Sequence, residues 1–464
     1  MTQYTYYKNG PRNLTAYGQL TGEGWYHTFR NYNDRAEMTG IKHRRSNQLV
    51  GGTQWNQERI AEVVYGLDAG GNPLRIDEYY DAAGNYHRSD YEYDEIARLT
   101  DWTFGGNTKS WTYDWVGNWL TSSDGTFVTD PDVDWLDSSP VPSATYDYNK
   151  LGALEDMTVG ANTDTFSYDP QDLLSQVSYG GGGSSTMTWD ADQQRQKLTN
   201  SGGSTYFVYD PTAGVPAVLV ETDGENETFY VREPGGELIA RATDQARQYY
   251  FFDRLGSTIA MGPAVEGNPT DRLFYTPWGE LVASGTRAST VGTTANPYRY
   301  VGELGYYYHQ QDAGLQDWMQ LGVRFYQPEL GRFERRDPVR LAGGLDSYNY
   351  ARNDPLRFID PRGEFSSLWC GLVCVPFLFN GLAGACLDLC SNANDMNELR
   401  KVLNNLMERR ERAKHPKCQS DCENAPNKAF CMQCCEMLPD SDQEACLQAC
   451  ESKTWNQPGK KKKK

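Results

Sequence analysis

Residues 148–174, YNKLGALEDMTVGANTDTFSYDPQDLL, contain two consecutive starts of one repeating unit. Each start is an aromatic followed by Asp or Asn, then turn-forming residues, then an apolar residue. Related starts stand at Tyr80-Asp81, Tyr93-Asp94, Tyr113-Asp114, Trp189-Asp190 and Tyr209-Asp210. The starts at Tyr148, Tyr168, Trp189 and Tyr209 lie 20, 21 and 20 residues apart, and a fixed period marks a repeat architecture. Tyr and Trp favour strands, whereas Asp, Asn and Gly supply turns by side-chain capping or positive φ. One unit therefore reads as a β-hairpin. A lone hairpin is marginal in water, so the units are expected to join into one long strip, with aromatics stacked at matching positions. A sandwich of tyrosine-rich strands is the alternative.

Composition divides the chain. All 11 cysteines fall between Cys370 and Cys450. From Phe365 onward there are 14 basic and 12 acidic residues, against 30 and 50 in the first 364. A surface so acidic argues against nucleic acid as a partner of the first part. The opening MTQYTYYKNGPRNLTAYG has neither a charged leader nor an apolar stretch. Export is expected to be signal-less or carried by a partner, and the chain reads as a truncated copy of something longer.

Three further stretches sharpen the reading: FFDRLGSTIA (251–260), FYTPWGELVASG (274–285) and YRYVGELGYYYHQQDAGLQDWMQLGVRFYQPELGRFERRDPVRLAGGLDSYNYARNDPLRFIDPRG (298–363). With the YD units, they make roughly residues 30 to 363 resemble the YD-repeat or Rhs family of bacterial toxin-shell proteins, the last stretch being similar to its repeat-associated core. The resemblance implies a mainly β fold. An antiparallel hairpin strip spirals into a hollow shell, the core plugs one end, and a variable C-terminal segment is cleaved off and held as cargo. Three regions are expected: a YD-repeat strip over 1–290, the core over 291–364, and a small α-helical, disulfide-stapled domain over 365–464. Roughly 300 residues of strip are few for a closed cage, so a partner shell protein is expected, together with secretion machinery and an immunity protein.

The core ends in DPVRL, starting at Asp337, and DPRGE, starting at Asp360. Family members carry paired DPxGL motifs resembling an aspartyl autoprotease that cuts after the second. Hydrolysis by carboxylates needs two that share one proton, so that one activates water and the other donates. By matched position Asp337 and Asp360 are the pair. Arg336 would orient a carboxylate, Gly363 would permit close backbone approach, and the cut would fall between Glu364 and Phe365. Arg340 stands in place of the family's Gly and Glu364 in place of its Leu. The alternative is that both aspartates only cap turns before proline. His27, His43, His87 and His309 have no metal-ligand spacing and read as surface or strand residues. No cofactor or metal is expected.

Beyond the seam, cysteines recur as CxxxC: Cys370 with Cys374, Cys386 with Cys390, Cys418 with Cys422, and Cys446 with Cys450. This spacing puts both sulfurs on one helix face, suited to disulfide-bolted helical hairpins in an oxidising compartment. Zinc is the competing reading, using CMQCC (Cys431, Cys434, Cys435) with Cys418 and Cys422. Residues 365–387 carry no charge and have the length of a membrane span, or form a buried hairpin. Residues 395–414 read as an amphipathic helix, and the final lysines as a solvated tail. The chain is thus expected to be a secreted or surface protein that packages and delivers a C-terminal effector. The alternatives are an orphan surface structural or carbohydrate-binding repeat protein, and a pore-forming C-terminal domain.

Overall fold

The aromatic–Asp pair makes a turn before it makes a sheet. At Asp94 the backbone N–H donates to Arg98 O at 2.9 Å, and Ala97 N–H returns to Asp94 O at 3.0 Å. The Asp94 Oδ1 accepts from Ile96 N–H at 3.1 Å and Arg98 N–H at 2.8 Å. Ala97 takes φ 66°. The same Oδ1 capping recurs at Asp169, to Gln171 and Leu173, and at Asp190, to Asp192 and Gln194. A short acidic side chain satisfies the donors of this turn.

The aromatic before the Asp latches its unit to the preceding one. Tyr168 Oη donates to Leu154 O at 3.0 Å, Trp189 Nε1 to Leu174 O at 2.9 Å, and Tyr93 Oη to Pro73 O at 2.9 Å. Tyr and Trp interchange because each has a hydrogen-bond donor at the tip of an apolar ring. Units are thus linked through polar tips as well as through rings.

This computed structural model describes residues 2–6, 12–18, 25–46, 58–80, 84–244, 246–263, 269–282, 296–309, 315, 317–339 and 346–364. The expectations for residues 365–464, namely helices, an apolar stretch and a basic tail, lie outside them. So do the cysteine pairs expected there, Cys370 with Cys374, Cys386 with Cys390, Cys418 with Cys422 and Cys446 with Cys450, as well as Phe365 and Arg340.

Eleven strands, from Thr2–Tyr6 to Gly125–Thr126, form one sheet, and fifteen, from Val128–Thr129 to Asp271–Arg272, form a second. Every neighbour is the next strand in sequence, and the recorded pairs are antiparallel. A four-stranded sheet follows between Tyr307 and Phe333. Helix is nearly absent among the described residues, with short 3-10 turns at Gly302–Leu304 and Ala351–Asn353. Contacts divide the chain into Met1–Gly371 and Leu372–Lys464, so strip and core share one compact unit.

Alternation gives the strip one buried face. Strand Ser143–Tyr148 buries Ala144 and Tyr146 while Ser143, Thr145 and Asp147 are exposed. The apolar residue after each turn is buried too, as at Leu99, Leu154, Leu174 and Leu238. The strip also meets itself across some 200 residues. Tyr26, Ile41, Ile60 and Tyr65 form one apolar cluster with Tyr249, Phe251, Ile259 and Ala260, reinforced by Arg272 Nη1 donating to Ile60 O at 2.8 Å.

The remaining buried face is covered by the core segment. Trp278 packs edge-on against Trp119 at 4.8 Å and Trp111 at 5.9 Å. Trp318 stacks on Phe166 at 5.5 Å, Tyr307 meets Phe207 at 5.6 Å, and Tyr298 meets Tyr230 at 4.9 Å. Strands spread over residues 111 to 230 therefore bury on one plug. Much of the apolar face of the described strip thus packs on the core segment. Trp278 is 1% exposed and Trp115 is 82% exposed. Trp278→Ala is expected to lower the unfolding free energy by about 3–5 kcal/mol, and Trp115→Ala to change it by less than about 0.5 kcal/mol, both read from urea unfolding.

Candidate active site

The strand Arg324–Gln327 belongs to the run MQLGVRFYQ, where an arginine stands among apolar neighbours. Arg324 is 2% exposed, and a buried guanidinium must be paired. Its Nη2 lies 2.8 Å from Asp337 Oδ2 and 3.0 Å from Asp360 Oδ2. Nη1 donates to Ser347 O at 3.1 Å, and Nε donates to the Gly363 carbonyl oxygen. The Phe333 ring covers the guanidinium, 3.6 Å from its centre.

Both carboxylates are fixed by the backbone. Asp337 N–H donates to Ser347 O at 2.9 Å, and Asp337 Oδ1 accepts from Val339 N–H at 2.9 Å. Asp360 N–H donates to Tyr306 Oη at 2.7 Å, and Tyr306 Oη lies 2.9 Å from Tyr350 Oη. Asp360 Oδ1 accepts from Glu364 N–H at 3.2 Å. Gly363 sits at φ 63°, and a Cβ there would fall 2.2 Å from Leu321 O. Only glycine lets this turn lie against the Leu321–Arg324 turn.

Burial raises the Asp337 carboxyl to about 7, with the neighbouring Asp360 charge adding to the rise and Arg324 opposing it. Two carboxylates brought this close favour retention of a proton on one of them. That arrangement can activate a water with one carboxylate and protonate a leaving group with the other.

The structure thus brings together Asp337, Asp360 and Gly363. Arg336 sits elsewhere, with its guanidinium centre 5.8 Å from the Trp135 ring and its side chain bonded to Tyr348. The guanidinium on the pair is Arg324, which sequence reasoning passed over; the signal for it was a charge inside an apolar run. Glu364 is half-buried at the rim, and its charge helps raise Asp337.

The four histidines divide. His27, His43 and His87 stand on strands, but His27 and His43 are buried, and burial pushes the His43 imidazole down to about 3. His309 is buried beside Arg195 Nη1 at 2.9 Å. Arg195 itself occupies the post-turn position that Leu154 and Leu174 hold in other units.

The family model for the teneurin YD-shell matches residues 54–356. The chain belongs to the YD-shell family. Relatives include the tRNA3(Ser)-specific nuclease WapA of Bacillus spizizenii, 27% identical over 278 residues, 56% of this chain and 11% of that protein. The double-stranded DNA deaminase toxin A of Burkholderia cenocepacia is 26% identical over 370 residues, 74% of this chain and 23% of that protein. Toxin subunit YenC2 of Yersinia entomophaga is 33% identical over 133 residues, 28% of this chain and 12% of that protein. The YD shell described here thus spans less than a quarter of the length of each of these relatives. The crystal structure of TcdB2-TccC3-TEV aligns with a TM-score of 0.41 at 15% identity, over 78% of this chain and 21% of that chain.

Other acids in the YD shell share the strain of burial. It raises Asp346 to about 6 and Asp354 and Glu334 to about 7, and neither carboxylate oxygen of Asp354 has a hydrogen-bond partner. Raised acids bind protons in the folded state that the unfolded chain releases. Their stabilisation is full below the unfolded carboxylate range, near about 4, and is lost as pH rises through about 6–7. The urea midpoint is therefore expected to be higher at about pH 5 than at about pH 8. A midpoint that rises between those values would contradict this.

Proposed function

We propose that this chain is a toxin-delivery YD shell that cuts itself once, in the DPRGE turn, to release the segment beyond as an effector. The observation that carries this is the pair of buried carboxylates, Asp337 and Asp360, on the single Arg324 guanidinium at the end of the core. A turn-capping role accounts for one carboxylate oxygen of each residue. It leaves unexplained why the other two oxygens converge on one buried nitrogen.

The relatives support the same reading. Two of them differ in activity, a tRNA nuclease and a DNA deaminase, while the family match falls within 54–356. A common shell with exchangeable cargo fits both facts, so residues 365–464 bring a chemistry of their own. Because much of the strip's apolar face packs on its own core, enclosing a cargo calls for further shell from a partner toxin component. Secretion or surface display follows from the same reading.

Asp337→Asn is expected to leave one full-length band on a denaturing gel, whereas the unaltered chain splits near the seam. Asp346→Asn removes a buried acid outside the pair and is expected to split normally. Splitting by Asp337→Asn would refute the assignment. Since the pair must retain one proton, the rate of splitting is expected to fall as pH rises through about 7. Residues 365–464 expressed alone are expected to arrest growth of a bacterial host; a harmless segment would favour an orphan structural repeat protein.

A further inference from the structure

The backbone after Tyr350 is wound against its own preference. Ala351, Arg352 and Asn353 take φ 52°, 58° and 60° in succession, a left-handed turn that is costly for any residue with a Cβ. Asn353 is held in it by Nδ2 donating to Gly117 O at 2.8 Å and by Trp119 Nε1 donating to its Oδ1 at 3.3 Å. At Asp354 the winding changes. Its carbonyl oxygen accepts from Arg357 N–H at 3.2 Å and Phe358 N–H at 3.0 Å, the bonding of a single helical turn. Side chains three residues apart in such a turn are neighbours, which puts Arg357 beside Asp354.

Asp354 is 1% exposed, and neither of its carboxylate oxygens has a hydrogen-bond partner. Arg357 spends its Nη1 elsewhere, on Asn72 Oδ1 at 3.0 Å. Asn72 closes the turn between the first-sheet strands Glu58–Leu67 and Pro73–Tyr79. There Asp68 Oδ1 accepts from Asn72 N–H at 2.8 Å and Asp68 Oδ2 from Asn72 Nδ2 at 2.9 Å. One guanidinium thus ties the core to the first sheet and leaves the acid beside it without a partner. The other groups facing Asp354 are committed too. Arg254 Nη2 donates to Leu356 O at 2.9 Å, and its guanidinium lies over the Tyr65 ring at 5.3 Å. Asp68 adds a like charge, and Tyr93 and Tyr113 face it as phenols that burial keeps neutral.

We propose that Arg357 is the arm of a pH-operated latch between the core and the first sheet, tied to Asn72 while Asp354 keeps its proton and drawn to Asp354 when that proton leaves for solvent. Burial raises the Asp354 carboxyl to about 7, with Arg357 and Arg254 opposing the rise and Asp68 adding to it. Below that range the neutral acid needs no cation, and Arg357 holds Asn72. Above it the carboxylate is ionised. An unpaired charge in the interior costs more than a charge-assisted hydrogen bond to an amide returns, so the arm moves. The left-handed turn supplies the give, because strained backbone of this kind persists only while surrounding contacts hold it, and release of Asn72 removes one of them. The latch is closed in acid and open in alkali.

Hydrogen exchange of the 68–72 turn tests this, measured on the full chain and corrected for the pH dependence of intrinsic exchange. Protection of the Asp68 and Asn72 amides is expected to be about 10-fold lower at about pH 8.5 than at about pH 5.5. The turn at 190–194, remote from Asp354 in sequence and on another sheet, is expected to keep its protection at both. Asp354→Asn is expected to hold the acid level of protection at both pH values, and Arg357→Gln the alkaline level at both. A 68–72 turn equally protected at both pH values in the unaltered chain would overturn the latch. So would a loss of protection that persists in Asp354→Asn. The first comparison needs no variant, so a substitution that fails to fold leaves the test intact.

Discussion

A carboxylate oxygen that accepts two backbone N–H groups across a five-residue turn sets the geometry of most of this molecule. It lets the residue before the chain returns adopt positive φ without glycine, as at Ala97, Asp172 and Gln193. It ends one strand and starts the next in a constant register. Because side chains alternate along a strand, that register puts the apolar residue after each turn on the same face as the aromatic latch. The strip then carries one apolar face along its length, and most of the remaining packing concerns how that face is covered.

Covering it is costly in charge. The core segment that packs against the strip brings Glu334, Asp337, Asp346, Asp354 and Asp360 into the interior, along with Arg324, Arg332 and Arg335. Buried ions must be paired or neutralised, and burial raises the carboxyls of Glu334, Asp337, Asp346 and Asp354 as that rule requires. Two of these groups tie core to strip, Arg332 by donating to Asp134 O at 2.7 Å and Arg335 by lying 3.5 Å from Asp172 Oδ2. Arg324 is different, since its partners are two acids and the chain end of the core.

Much of this was legible from residue pattern. The period of about twenty, the Asp turn and the tyrosine all follow from local chemistry, and the DP motifs singled out Asp337 and Asp360. The arginine was not legible in the same way. Arg336 stands beside Asp337 in sequence, but adjacent side chains in an extended chain face opposite ways, and Arg336 turns towards Trp135. Arg324 is remote in sequence and reaches the pair because the Leu321–Arg324 turn is docked against Arg362 and Gly363. Contacts made by tertiary folding leave no spacing to read. Arg195 was hidden for a related reason: it fills a leucine position and is accommodated only because Phe207, Tyr307 and His309 surround it.

The site has a consequence for timing. Its three charged members come from separate segments, and each segment is anchored to the strip. Tyr348 Oη donates to Gly152 O at 2.7 Å, Asn353 Nδ2 donates to Gly117 O at 2.8 Å, and Leu154 N–H donates to Glu334 O at 2.9 Å. A chain whose strip has not closed on the core lacks the contacts that hold Arg324, Asp337 and Asp360 together, and separated carboxylates have no reason to share a proton. On the proposed reading, hydrolysis therefore waits for folding. Such a cut needs only one turnover, so nothing in the site has to release a product or admit a second substrate. That is consistent with carboxylates only 2–5% exposed, a burial that would hinder a protease acting on other chains and suits one acting on its own.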